Sequence, residues 1–116
     1  TITADTVGYI VVPRACLLES LVTLIRGTID FTTADEAARV LIDYATTVGG
    51  SYISVHTEAS QLANTWTAGT PKTHTVMGIA SAVRIPAGAV LRFTFDVAGT
   101  TPSFANVHIH AGLLAI

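Results

Sequence analysis

An all-β fold, an antiparallel sandwich forming one domain, is what this sequence predicts, and three stretches carry the prediction. Leu91, Phe93, Phe95 and Val97 alternate with Arg92, Thr94 and Asp96, the two-residue period of a strand with one face in a core and the other in water or against a partner. Phe104 to His110 forms a second such strand near the end of the chain. Ser51 to His56 forms a third, with Ile53 and Val55 on one side and Tyr52, Ser54 and His56 on the other. Ahead of the Leu91 strand, Pro86 suits the second position of a tight turn and Gly88 its exit.

The remaining elements follow in chain order. Thr1 to Gly8 is light and polar and reads as an N-terminal arm, which leaves 9–116 as the sandwich domain. Gly8 to Val12 is a short strand stopped by Pro13. From Ala15 to Ile29 the apolar residues are dense enough for two readings. Leu17, Leu21 and Ile25 with Leu18, Val22 and Leu24 line a helix closed by Gly27, or they form a strand buried on both faces; the β-branched content favours the strand. Thr33 to Tyr44 is equally divided. Thr33-Ala34-Asp35-Glu36 has the form of a capping box with a stripe of Ala37, Val40, Leu41 and Tyr44 behind it, whereas Val40, Ile42 and Tyr44 alternate as a strand does. The alternative fold class is therefore α+β, with a helix in 15–26 or 33–45. Thr46 to Gly50 is a turn, Thr57 to Pro71 an irregular loop around the single tryptophan, Trp66, and Lys72 to Ile85 a further alternating stretch.

Composition narrows the function. The chain has 116 residues, half of them hydrophobic, yet only 12% are charged against about 25% in an average soluble protein. So uncharged a surface points to burial against other subunits, and the chain is expected to be an oligomer. No apolar run reaches the roughly 18–20 residues that span a bilayer, so no membrane partner is expected. The opening residues lack the basic-then-apolar layout of a secretory signal, and Cys16 has no second cysteine to pair with, which fits assembly in a reducing cytoplasm. Net charge is −2 and the six basic residues are scattered, unlike the basic face of a nucleic-acid-binding protein.

No catalytic constellation stands out. His108 and His110, two apart, project from one face of a strand and are the candidate metal ligands, with His56 or His74 as a third. No acid follows His110, so no metal, no cofactor and no catalysis are expected, with both rings facing outwards. The serines lack a Gly-x-Ser-x-Gly elbow, and Cys16 lies in an apolar run that keeps it neutral. Asp35, Glu36, Asp43 and Glu58 read as solvated turn and edge carboxylates. The interface candidates are Thr1, Ile2 and Thr3 of the arm, Tyr9, Trp66, and the small-residue face of Gly78, Ala80 and Ala82.

The order of these elements, with Thr33-Ala34-Asp35, the Gly49-Gly50 turn before Ser51-Tyr52-Ile53-Ser54-Val55 and Ile85-Pro86-Ala87-Gly88 ahead of the closing strands, resembles small jelly-roll proteins of tailed bacteriophage virions, the head decoration or cement proteins and head-fibre domains. The resemblance runs from about Tyr9 to Leu114. It implies a jelly-roll sandwich, a homotrimer made in the host cytoplasm, and a structural role on the virion's capsid surface, where it binds the lattice of the major capsid protein without catalysis. The alternatives are a receptor- or glycan-binding fibre module and a small cupin-like metal-dependent enzyme.

Overall fold

Two bulges decide how this chain's apolar residues reach one core. The structure, a computed structural model, describes residues 2, 4–30, 35–47, 49–78, 81–99 and 103–116. Its strands are β1 (Thr6–Val11), β2 (Cys16–Ile25), β3 (Ile29–Asp30), β4 (Ala37–Ala45), β5 (Ile53–His56), β6 (Gln61–Leu62), β7 (Lys72–His74), β8 (Val90–Ala98), β9 (Ser103–Phe104) and β10 (Val107–Ala115); a 3-10 turn spans Ala63–Thr65. Every pairing is antiparallel. One sheet runs β1-β8-β4-β5 with β6 also on β4, a second runs β10-β2-β7, and β3 pairs β9. The molecule is an all-β, sandwich-like globule.

Neither helix of the α+β alternative forms. Along β4, Ala38, Val40, Ile42 and Tyr44 are buried while Arg39, Leu41 and Asp43 are only half-buried, a clean two-residue period against which the helical stripe fails. Asp35 and Glu36 lead into this strand, and the rest of the capping-box motif lies outside the described residues. In β2 the register on β10 slips between Gly112 and Leu113, so Ser20 faces Gly112, Leu18 faces Leu113 and Glu19 is the extra residue of a bulge. The slip restores Leu18 and Cys16 to the same inward side as Leu21, Thr23 and Ile25. A Cβ on Gly112 would come within 2.2 Å of Ser20 Oγ, so a larger residue there would make the Ser20 hydroxyl turn aside.

A second bulge, at Val55 opposite Ile42 and Asp43, buries both Val55 and His56 and leaves Ile53 half exposed, so the strict alternation expected for Ser51 to His56 is broken. The alternation expected from Lys72 to Ile85 is also cut short. Among the described residues of this stretch β7 is the one strand, Met77 is exposed, and Ile85 returns to full burial through an isolated bridge to Cys16. The 86–89 turn is closed by the Ala89 N–H donating to the Pro86 carbonyl, so Pro86 occupies its first position rather than its second. Gly88, with φ of 80°, takes the left-handed third position that favours glycine.

On β8 the inward set behaves as the alternation requires: Leu91 and Phe95 are buried and Phe93 and Val97 pack against the core. The outward set forms cross-strand pairs, with Arg92 facing Asp43 and Asp96 facing Arg39 directly across the β4–β8 ladder. At the centre, Phe95 meets Phe104 edge-to-face at 5.4 Å and Trp66 at 5.8 Å, joining β8, β9 and the 3-10 turn in one aromatic cluster. The N-terminal boundary also moves. Thr6, Val7 and Gly8 belong to β1 and Ile2 pairs with Phe104, so the stretch through Gly8 is not a free arm, while Thr1 and Thr3 lie outside the described residues.

Candidate functional site

The densest polar arrangement is one the sequence did not announce. β5 ends at His56 in one sheet and β7 ends at His74 in the other, and Glu58, on the connection leaving β5, lies between them. His56 Nε2 is 2.9 Å and His74 Nδ1 2.8 Å from Glu58 Oε1, and the Gln61 amide donates to Oε2 at 2.7 Å. His74 uses its other nitrogen on the Thr23 hydroxyl of β2 at 2.9 Å. Through its two ring nitrogens His74 therefore bridges Glu58 and Thr23. Burial pushes the Glu58 carboxyl up, but the hydrogen bonds with His74 and His56, the charge of His74 and the Gln61 amide outweigh it and hold the group at about 2.

Thr23, His74 and Glu58 align in the order of a hydroxyl, base and acid relay. The order does not make a nucleophile. Thr23 is 1% exposed, and the small cleft beside Glu58 is lined by Gln61, Thr73, His74 and Thr75 rather than by Thr23, so a substrate has no approach to its hydroxyl. A metal fits no better. The 2.8–2.9 Å nitrogen–oxygen separations are direct hydrogen bonds, shorter than the roughly 3.3 Å edge between ligands bonded at about 2.0–2.1 Å around a tetrahedral ion. Among the described residues no group of three histidine, cysteine or carboxylate side chains is placed to hold a metal. The arrangement can tie one sheet to the other through a shared charge.

The other residues singled out from the sequence scatter once the chain folds. His108 and His110 are exposed on the outer face of β10, their rings stacked at 6.3 Å. His74 pairs on the other side of β2 with Leu21 and is buried with it, so it faces away from them and cannot complete their set. Trp66 is 5% exposed, packs on His74, Phe95 and Phe104, and donates its indole N–H to the Gln61 carbonyl; as an interface residue it is corrected to a core one. Gly78 is exposed and Ala82 half-buried, neither of them in a strand, and Ala80 lies outside the described residues. Cys16 is buried and its thiol is pushed up by that burial. It is expected to stay unmodified by a disulfide reagent in native buffer and to react fully in denaturant; rapid native labelling would contradict its placement.

Tyr9 keeps its candidacy. It stands 60% exposed in β1, an edge strand with no partner on its outer side among the described residues, and Val7, Ile10 and Val11 beside it are 44–65% exposed. Its ladder neighbour Arg92 lies under Tyr52 at 3.8 Å and donates to Asp43. On the opposite side of β1, a groove of about 480 Å³ opens between this edge and β10, walled by Phe93, Phe95, Ile109 and Leu113. Gly8 contributes no side chain to it, and a Cβ there would meet nothing within 4 Å. The periodicity of β8 and β10 foretold an apolar face on each strand; that this face lies open among the described residues has no signature in the sequence beyond the scarcity of charge.

No protein-family model, curated protein or solved structure matches the chain.

Proposed function

We propose that the chain is a structural protein that binds the outside of an assembled phage capsid as a homotrimer and reinforces it, with its two sheets connected as a jelly roll. The observation that carries this reading is the β1 edge, six residues without a charge, bearing four exposed large apolar side chains beside an open apolar groove. Natural edge strands are ordinarily blunted by lysine, proline or bulges, and an edge without them is built to be covered. Weak apolar contacts made by each copy add up across a shell through multivalency. The Glu58 cluster supports the same role, since it ties His56 of one sheet to His74 of the other through one carboxylate. The glycan-binding alternative loses its aromatic platform with Trp66 in the core.

Co-sedimentation with heads of a tailed phage stripped of their own decoration protein tests the reading. Wild-type protein is expected to pellet with the heads at a saturating ratio, and a Val11→Lys variant to bind at least tenfold more weakly with an unchanged unfolding midpoint, because Val11 is 65% exposed. Binding to host cells or glycans with none to heads would favour the fibre module. Stoichiometric metal in the purified protein would favour the cupin-like enzyme.

A further inference from the structure

We propose that the outer face of the β2–β10 pair binds a single oxoanion, a phosphate or carboxylate group, held by Arg26, Asn106 and His108. The β2–β10 ladder continues past Ile25 and Val107: the Arg26 N–H donates to the Asn106 carbonyl and the Gly27 N–H to the Ala105 carbonyl, each at 3.0 Å. Arg26 and Asn106 therefore stand opposite one another. The two-residue period of β2 puts Arg26 on the same face as Leu24, whose ladder partner is His108, and away from the inward pair Ile25 and Val107. Arg26, Asn106 and His108 line a shallow cleft of about 340 Å³.

The chemistry of the three lining residues is one-sided. A guanidinium offers a planar fork of N–H donors, an amide two more, and an imidazole at least one, and no carboxylate among the described residues lines the cleft. Arg39 and Arg92 are each paired with an aspartate, whereas Arg26 takes part in no ion pair among the described residues. Asn106 has φ of 56°, a left-handed conformation that asparagine tolerates better than most residues, so the turn delivers its amide beside Arg26 at little cost. His110 stacks behind His108 and limits its swing. A cation is disfavoured here, because the guanidinium repels it and only two imidazoles are present to coordinate it.

The test is a nuclear magnetic resonance titration of the full ¹⁵N-labelled chain with inorganic phosphate and, separately, with acetate, at ionic strength held constant with chloride. Saturable shifts are expected at Arg26, Asn106 and His108, with binding at least tenfold weaker in Arg26→Gln and in His108→Asn and an unchanged unfolding midpoint in both. A response to phosphate alone assigns a phosphoryl group, to acetate alone a carboxylate, and to both a general oxoanion site; each supports the proposal. Shifts that climb without saturation, or that are the same in both variants as in wild type, would overturn it.

Discussion

Truncating Phe95 to alanine is expected to lower the unfolding free energy by about 3–5 kcal/mol, the range for a large aromatic removed from a packed core. Phe95 is 2% exposed and joins Phe104 and Trp66 in the aromatic cluster where β8 meets β9 and the 3-10 turn, so the hole it leaves has rigid walls. Phe93, two residues earlier on the same face, lines the open groove and is only half-buried. Phe93→Ala should cost less than half as much, about 1–2 kcal/mol, because water already reaches one side of the ring. Urea midpoints of the two variants check the ordering. Equal losses would mean that the groove is covered in solution, and no loss for Phe95→Ala would place the ring outside the core.

Glu58 is expected to stabilise the fold by about 1–3 kcal/mol at neutral pH, and that contribution should disappear in strong acid. Its carboxyl is held at about 2 against an ordinary 4.5, and water that still reaches the group screens part of the gain. A group held low stabilises the folded state fully above its ordinary pKa. The contribution falls as pH drops below 4.5 and is gone once pH passes through about 2. Glu58→Gln keeps the size and one acceptor but removes the charge shared by His56 and His74. Wild type should exceed this variant by a few kcal/mol at pH 7, and the two should converge near pH 2. A gap unchanged between these pH values would show that the carboxylate's charge has no part in joining the sheets.

The strands easiest to read were those whose ladders run without interruption. Leu91 to Val97 and Val107 to Ala111 each keep one phase against the core, so their alternation could be taken at face value. β2 was ambiguous for a physical reason. The bulge at Glu19 puts Leu18, Leu21 and Ile25 on one side of a strand, and gaps of three and four are the spacing of a helical stripe. At β5 the same kind of interruption turned His56 inwards. Its meeting with Glu58 and His74 depends on a loop fold and on the stacking of two sheets, neither of which leaves a periodic trace. The signal that existed was local: an acid two residues after a histidine, with Gln61 close behind, inside a loop with no other charge before Pro71. Trp66 misled in the opposite sense, since an irregular loop around a lone tryptophan reads equally as a contact surface and as a lid folded onto the core.

If assembly covers the apolar β1 edge, the mass of the native particle reports it most directly. Sedimentation equilibrium of the full chain at micromolar concentration, alone and then with stripped phage heads, is expected to give a mass three times the 12.1 kDa of one chain and then a saturable attachment to the heads. A 12.1 kDa particle that stays free of the heads at every concentration would contradict the assembly role.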